Sequence, residues 1–122
     1  MFSRTPNEIT RLKSKKAIEL LFAEGVHIRK KPLKLVYRAD ESETLALGFG
    51  VSKRLFPKAV DRNRIKRLMR EQFKQLRCQE DYSVFFGFGY FVFEGKELPS
   101  LLELKEPMTF LVSKWSTAEE AP

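Results

Sequence analysis

The 122-residue sequence contains one cysteine, one histidine and one tryptophan, and each scarcity removes a class of chemistry. A lone Cys78 forms no internal disulfide, and with no CxxC motif it supplies no structural zinc set. His27 has no Ser, Cys or carboxylate constellation beside it, so no catalytic residue and no metal ligand is expected in the protein. No apolar run approaches the ~20 residues of a membrane span. The first residues, 1–11, are polar and lack the apolar stretch of a secretory signal. A soluble, cytoplasmic protein in a reducing compartment is expected.

Acids are the other shortage. The chain has 23 Lys plus Arg against 16 Asp plus Glu, a net charge of +7. The imbalance is local: residues 1–80 hold 20 bases and 9 acids, whereas residues 81–122 hold 3 bases and 7 acids. An excess of this sign predicts a polyanionic partner, and it places the partner's site in the first two-thirds of the chain. An apolar share of 43% with 11 Phe excludes wholesale disorder. The length suits a single domain over 1–122, with mobile ends expected at 1–8 and 116–122.

Ser14 is placed to cap a helix in which Ala17, Ile18, Leu21 and Phe22 recur at helical spacing, and Gly25 to end it. From Pro32 to Ala39 the period changes to two, with Leu33, Leu35 and Tyr37 on one face, so a strand follows. A polar link, Asp40–Thr44, leads into a second alternating run, Leu45–Val51, which predicts a hairpin. The small residues Ala46, Gly48 and Gly50 leave room for something to approach one face of that run. Helical periodicity then holds from Lys58 to about Cys78. Asp81–Phe93 reads as a strand bent at Gly87 and Gly89, and residues 98–106 as a short helix that Pro107 interrupts before a further stretch to Trp115.

The basic helix carries the strongest signal. Residues 53–77 contain ten bases and two acids, Asp61 and Glu71. At about 100° per residue, Ile65, Leu68, Met69, Phe73 and Leu76 form one arc, and Arg62, Lys66, Arg67, Arg70, Lys74 and Arg77 form its neighbour. A solvated helix face normally mixes signs. Here Arg62–Lys66, Lys66–Arg70 and Arg70–Lys74 are successive like-charge pairs, each costing a few tenths of a kcal/mol. A stripe built against that repulsion suits a nucleic-acid backbone, with arginine forks for phosphate oxygens and Asn63 for a phosphate or a base edge. Glu71 is expected to balance Arg67 or Lys74.

Val51-Ser-Lys-Arg54, followed by Lys58-Ala-Val-Asp-Arg-Asn-Arg-Ile-Lys-Arg-Leu-Met-Arg-Glu71 and Phe73, closely resembles the signature of the bacterial ribonuclease P protein component. The likeness covers about residues 9–95. It implies an α+β domain with a mixed sheet, a long basic helix and a left-handed βαβ crossover. It further implies a subunit that binds a catalytic RNA and the 5′ leader of precursor tRNA, and that assists removal of the leader. Cleavage would belong to the RNA and its bound Mg²⁺. By matching position, Lys53, Arg54, Lys58, Arg62, Asn63, Arg64, Lys66, Arg67 and Arg70 would contact RNA. Ile18, Phe22 and Tyr37 would line a leader cleft, Ile18 standing where the family usually has an aromatic.

Three other readings compete. Phe86-Gly-Phe-Gly-Tyr-Phe-Val-Phe93 resembles the RNP1 octamer of RNA-recognition motifs, but the order of elements does not fit that fold, and core packing against Phe73, Phe49 and Trp115 is the expected role. Arg29, Lys30 and Lys31, with His27 and Lys34, form a second basic cluster, either a solvated loop or an extension of the phosphate track. A structural RNA-binding protein of ribosomal type, without a role in cleavage, accounts for the charge but not for the ordered Arg-Asn-Arg run.

Overall fold

The structure is a computed structural model that describes residues 9–38, 45–77 and 87–120. In chain order they form β1 (Ile9–Arg11), α1 (Lys15–Glu24), β2 (Val26–Lys30), β3 (Leu33–Arg38), β4 (Leu45–Val51), α2 (Ala59–Arg77), β5 (Gly87–Phe93) and α3 (Leu101–Glu120). The strands make one mixed sheet in the order β1-β4-β5-β3-β2. β4 pairs parallel with both β1 and β5, and β3 pairs antiparallel with β5 and β2. The α+β class, the mixed sheet and the long basic helix are as expected, with α2 forming the crossover between parallel β4 and β5.

Alternation along the strands divides the interior in two. On one face Leu33, Leu35 and Tyr37 of β3, Leu45 and Leu47 of β4, and Phe91 and Phe93 of β5 pack under α2 and α3. On the other, Val36 and Ala46 meet Leu12 and Leu21, with Ile18, Phe22, Phe88 and Tyr90 half-buried around them under α1.

The expected hairpin between residues 32–39 and 45–51 does not form, because β5 lies between β3 and β4. β5 carries large apolar side chains on both faces, and such a strand belongs in the middle of a sheet. The segment expected to be a basic loop around His27 is instead edge strand β2. Only Ile28 of its five residues is even half-buried, so it shows no apolar alternation, and its charged positions suit an edge. β1 likewise lay in what read as a polar lead.

Ser14 caps α1 as expected, its Oγ accepting from the Ala17 amide at 3.3 Å. Gly25 ends the helix, but for reasons of space. A Cβ there would lie 2.6 Å from the Leu21 carbonyl oxygen and 2.9 Å from that of Tyr37. Gly87 opens β5 at φ 114°, the left-handed region that favours glycine. Gly89 is where the Trp115 ring rests on the sheet.

Pro107 does not interrupt α3, which runs through it to Glu120. An interior proline costs about 3 kcal/mol. Leu104, Met108, Leu111, Val112 and Trp115 are all buried along the same face, each worth ~1.5–3 kcal/mol, so packing outweighs the local break. The helix starts on a reciprocal cap that sequence reading missed: the Glu103 amide donates to Ser100 Oγ (3.1 Å) and the Ser100 amide to Glu103 Oε1 (2.8 Å). The tail expected to be mobile from Ser116 therefore continues α3 as far as Glu120. Residues 1–8 and 121–122, Cys78, and the Asp81–Phe86 part of the expected strand lie outside the described residues.

Candidate nucleic-acid interface

α2 presents its two arcs as the periodicity implied. Ile65, Met69, Phe73 and Leu76 are buried against the sheet, and Leu68 is half-buried. Gln72, at 3% exposure, joins the buried side. Asn63, Lys66, Arg67, Arg70 and Lys74 form one wall of an open groove of about 700 Å³. The opposite wall is Thr10, Arg11 and Leu12, and the floor is Leu47, Gly48, Phe49 and Tyr90.

The groove exists because β1 is three residues long. Its pairing stops at Arg11 opposite Leu47, with one more bond from the Leu12 amide to the Leu47 carbonyl at 2.8 Å. Beyond Leu47, no strand among the described residues pairs with the outer edge of β4. α2 overhangs that edge, and the Arg70 guanidinium sits 5.4 Å from the centroid of the Phe49 ring, which itself stacks on Phe91 at 5.7 Å. Among the described residues, no carboxylate lies within ion-pair distance of Lys66, Arg67, Arg70 or Lys74. The expected balancing by Glu71 is not made; that carboxylate accepts from Gln75 at 3.5 Å.

The room left by Gly48 and Gly50 is taken by the protein's own Tyr90. A Cβ on either glycine would come within 2.5 Å and 2.8 Å of that ring, respectively. Tyr90 thus lies across β4 on the α1 face and makes an edge contact with Phe22 at 5.4 Å and 70°. Burial pushes its phenol above the usual value of 10.0, so the hydroxyl stays protonated and able to donate. Phe22 is half-buried. Lys34 Nζ lies 5.7 Å from its centroid, and His27 donates from Nε2 to the Phe22 carbonyl at 2.8 Å. The carbonyl can only accept, which fixes the proton on Nε2.

Of the residues expected to line a leader cleft, Ile18 and Phe22 share the α1 face, but Tyr37 does not join them. It points to the opposite side of the sheet, 7% exposed, and stacks on Trp115 at 5.6 Å and 26°. Strand alternation puts Lys34 and Val36 on the α1 face and Leu33, Leu35 and Tyr37 on the other. Tyr90 is the aromatic that sequence reading missed there. Its signal was present in the two-sided alternation of Gly87–Phe93, which sends Phe91 and Phe93 to one core and Phe88 and Tyr90 to the other.

The remaining expected contacts divide into three sets. Lys53, Arg54 and Lys58 are exposed in and after the turn that precedes α2, and Arg64 is exposed beside the groove rather than in it. Arg62 is half-buried and turned back, its Nη1 donating to the carbonyls of Phe56 (2.9 Å) and Pro57 (2.8 Å). The second basic cluster is dispersed: Arg29 pairs with Glu94 through two hydrogen bonds of 2.8 and 3.2 Å, Lys30 Nζ lies 5.3 Å from the Phe110 centroid, and Lys31 is exposed in the β2–β3 turn. Among the described residues, no group of three or more His, Cys, Asp and Glu side chains converges as a metal site would, and no helix is long and apolar enough to cross a membrane.

A family model described as Ribonuclease P matches residues 7–94. The ribonuclease P protein component of Nitrosococcus oceani is 42% identical over 55 residues, 45% of this chain and 46% of that protein. That of Chlorobaculum tepidum is 44% identical over 73 residues, 55% of this chain and 46% of its own length. The matched part thus spans about half the length of these curated relatives. In fold, the chain is similar to the RNase P protein of Staphylococcus aureus (TM-score 0.73, 20% identity, 88% of this chain and 95% of that one). It is equally similar to that of Thermotoga maritima (TM-score 0.72, 21% identity, 85% and 96%).

Proposed function

The chain belongs to the ribonuclease P family, and from that membership we propose that it is the protein subunit of a ribonucleoprotein endoribonuclease that removes the 5′ leader of precursor tRNA in the cytoplasm. One observation carries the reading: the basic wall of α2, with no carboxylate in ion-pair range among the described residues, overhangs an open groove along the edge of β4. Coulomb repulsion within such a wall is relieved by a phosphate backbone, and the groove is open enough to admit one.

In this reading Lys66, Arg67 and Arg70 hold phosphates of the catalytic RNA, Asn63 donates beside them, and Lys53, Arg54, Lys58 and Arg64 extend the contact along the outside of the helix. Phe22 and Tyr90, with Lys34 beside them, offer unpaired leader bases a stacking surface with a cation at its rim, and Ile18 adds apolar contact. The protein performs no bond cleavage. Mg²⁺ held by the RNA subunit would supply the activation of water for that step, and the protein's part is to hold substrate and RNA together where their own charges repel.

The test is precursor-tRNA cleavage at low Mg²⁺ by the cognate catalytic RNA, with and without this protein. Stimulation with correct 5′ ends, lost on the double substitution Lys66→Ala and Arg70→Ala, is the expected result. Tight RNA binding without stimulation would favour a structural RNA-binding role, and cleavage by the protein alone would overturn both readings.

A further inference from the structure

We infer that Arg62 is a positioning residue: it clamps the turn ahead of α2 so that Lys53 and Arg54 are presented to RNA, and it is not itself a phosphate contact. The inference rests on the reading of α2 and its approach as an RNA surface. Its own ground is a set of hydrogen bonds that engage Arg62 and order the turn before the helix.

Residues 52–58 connect β4 to α2 without regular structure, yet hydrogen bonds tie the segment together. Ser52 Oγ accepts from the amides of Arg54 (3.2 Å) and Leu55 (3.4 Å), and the Phe56 amide donates to the Ser52 carbonyl (3.0 Å). The Phe56 side chain is buried, its ring 5.9 Å from Phe93. Two carbonyls late in the turn, those of Phe56 and Pro57, accept from one terminal nitrogen of Arg62. Lys53 and Arg54 project from this framework as exposed basic side chains.

The location of Arg62 is otherwise hard to justify. It lies one turn into α2, near the positive end of the helix dipole, where a cation is disfavoured. Two carbonyl acceptors at 2.8–2.9 Å offset that penalty, and they leave the group half-buried and facing the turn. Lys66 and Arg70, one and two turns further on, line the groove; Arg62 does not.

The test is a double-mutant cycle read as affinity for the catalytic ribonuclease P RNA. Arg62→Ala is expected to weaken wild-type binding on the order of tenfold, the scale of a lost charge-assisted hydrogen bond. In a background already carrying Lys53→Ala and Arg54→Ala it is expected to change affinity by less than about twofold, because the side chains it positions are gone. Lys66→Ala, a contact in its own right, keeps its full effect in that background. Ser52→Ala removes no charge but frees the Arg54 and Leu55 amides of the same turn, and it is expected to weaken binding as well. Hydrogen exchange of the 54–56 amides is expected to accelerate in both Arg62→Ala and Ser52→Ala.

A full-sized Arg62→Ala loss in the Lys53/Arg54 double-alanine background would overturn the clamp, as would wild-type affinity in Ser52→Ala. If the wild-type chain does not bind this RNA, the proposed function fails instead. Amide exchange then decides the clamp alone, with unchanged rates at 54–56 in Arg62→Ala counting against it.

Discussion

The chain carries basic side chains at both edges of its sheet, and the two edges treat them differently. At the β2 edge Arg29 is held by Glu94 through two hydrogen bonds, Arg38 pairs with Glu24 at 3.1 Å, and Lys30 and Lys114 lie 5.3 and 5.4 Å from the Phe110 ring. Beside the β4 edge, Lys66, Arg67 and Lys74 have no such partner among the described residues, and Arg70 has only the face of Phe49. Both regions read as basic in sequence. What distinguishes an unsatisfied cationic surface from a self-contained one is the distribution of acids and rings in space, and that depends on strand order.

The contrast is broken most directly on the α2 side. Replacing Lys66 and Arg70 together by Ala is expected to weaken binding of the catalytic RNA by at least ~100-fold, taking each as a hydrogen-bonded charge. It is also expected to make the salt dependence of log K shallower by roughly 1.4–1.8, for two phosphates no longer neutralised. Filter binding across a salt series measures both, and an unchanged slope would remove these residues from the phosphate track.

Between the edges, Gly48→Ala attacks the groove from below. A methyl group 2.5 Å from the Tyr90 ring must move it, so a loss of about 1–3 kcal/mol in urea unfolding is expected, together with weaker binding of leader-bearing substrate. On the β2 edge the expected effects are small. Arg29→Ala opens an ion pair whose side chains are 55% and 34% exposed, so less than about 1 kcal/mol of stability is at stake, falling further at high salt. Its RNA affinity is expected to stay within about twofold of wild type, and a large drop would mean that the pairing with Glu94 does not neutralise this edge.

The smallest effect is a titration. Because burial raises the Tyr90 phenol above 10.0, the unfolded chain releases that proton first as pH rises. Its contribution to stability is therefore complete below pH 10 and is lost as pH climbs from there through the folded value. Ultraviolet difference absorption of wild type against Tyr90→Phe reads the shift. A phenol that titrates at the ordinary value would contradict its placement under β4.

Much of this was legible in the sequence because it was local. The capped first helix, the amphipathic α2, the β3 alternation and the Arg62-Asn63-Arg64 run all follow from spacing within one element. The misreadings came where distant partners decide. The polar link after β3 looked like a turn, but residues 40–44 say nothing about β5, whose two-sided apolar pattern draws it between β3 and β4. Tyr37 looked like a cleft aromatic until Trp115, almost eighty positions away, provided the ring it stacks on. Pro107 looked like a stop because its local cost is visible in sequence and the buried face of α3 is not. Arg62 read as one more base in the stripe because nothing in a linear pattern records that two carbonyls wait for it.

The single tryptophan is fully buried over Gly89 on the α2–α3 side of the sheet, away from Phe22 and Tyr90. Nature has thereby supplied the protein with an intrinsic optical reporter that looks at the interior only. Excited selectively near the red edge of its absorption, Trp115 reports whether α3 is seated on the sheet and is blind to stacking at the opposite face. Variants of the RNA-facing residues can therefore be sorted by emission alone into those that have lost a contact and those that have lost the fold.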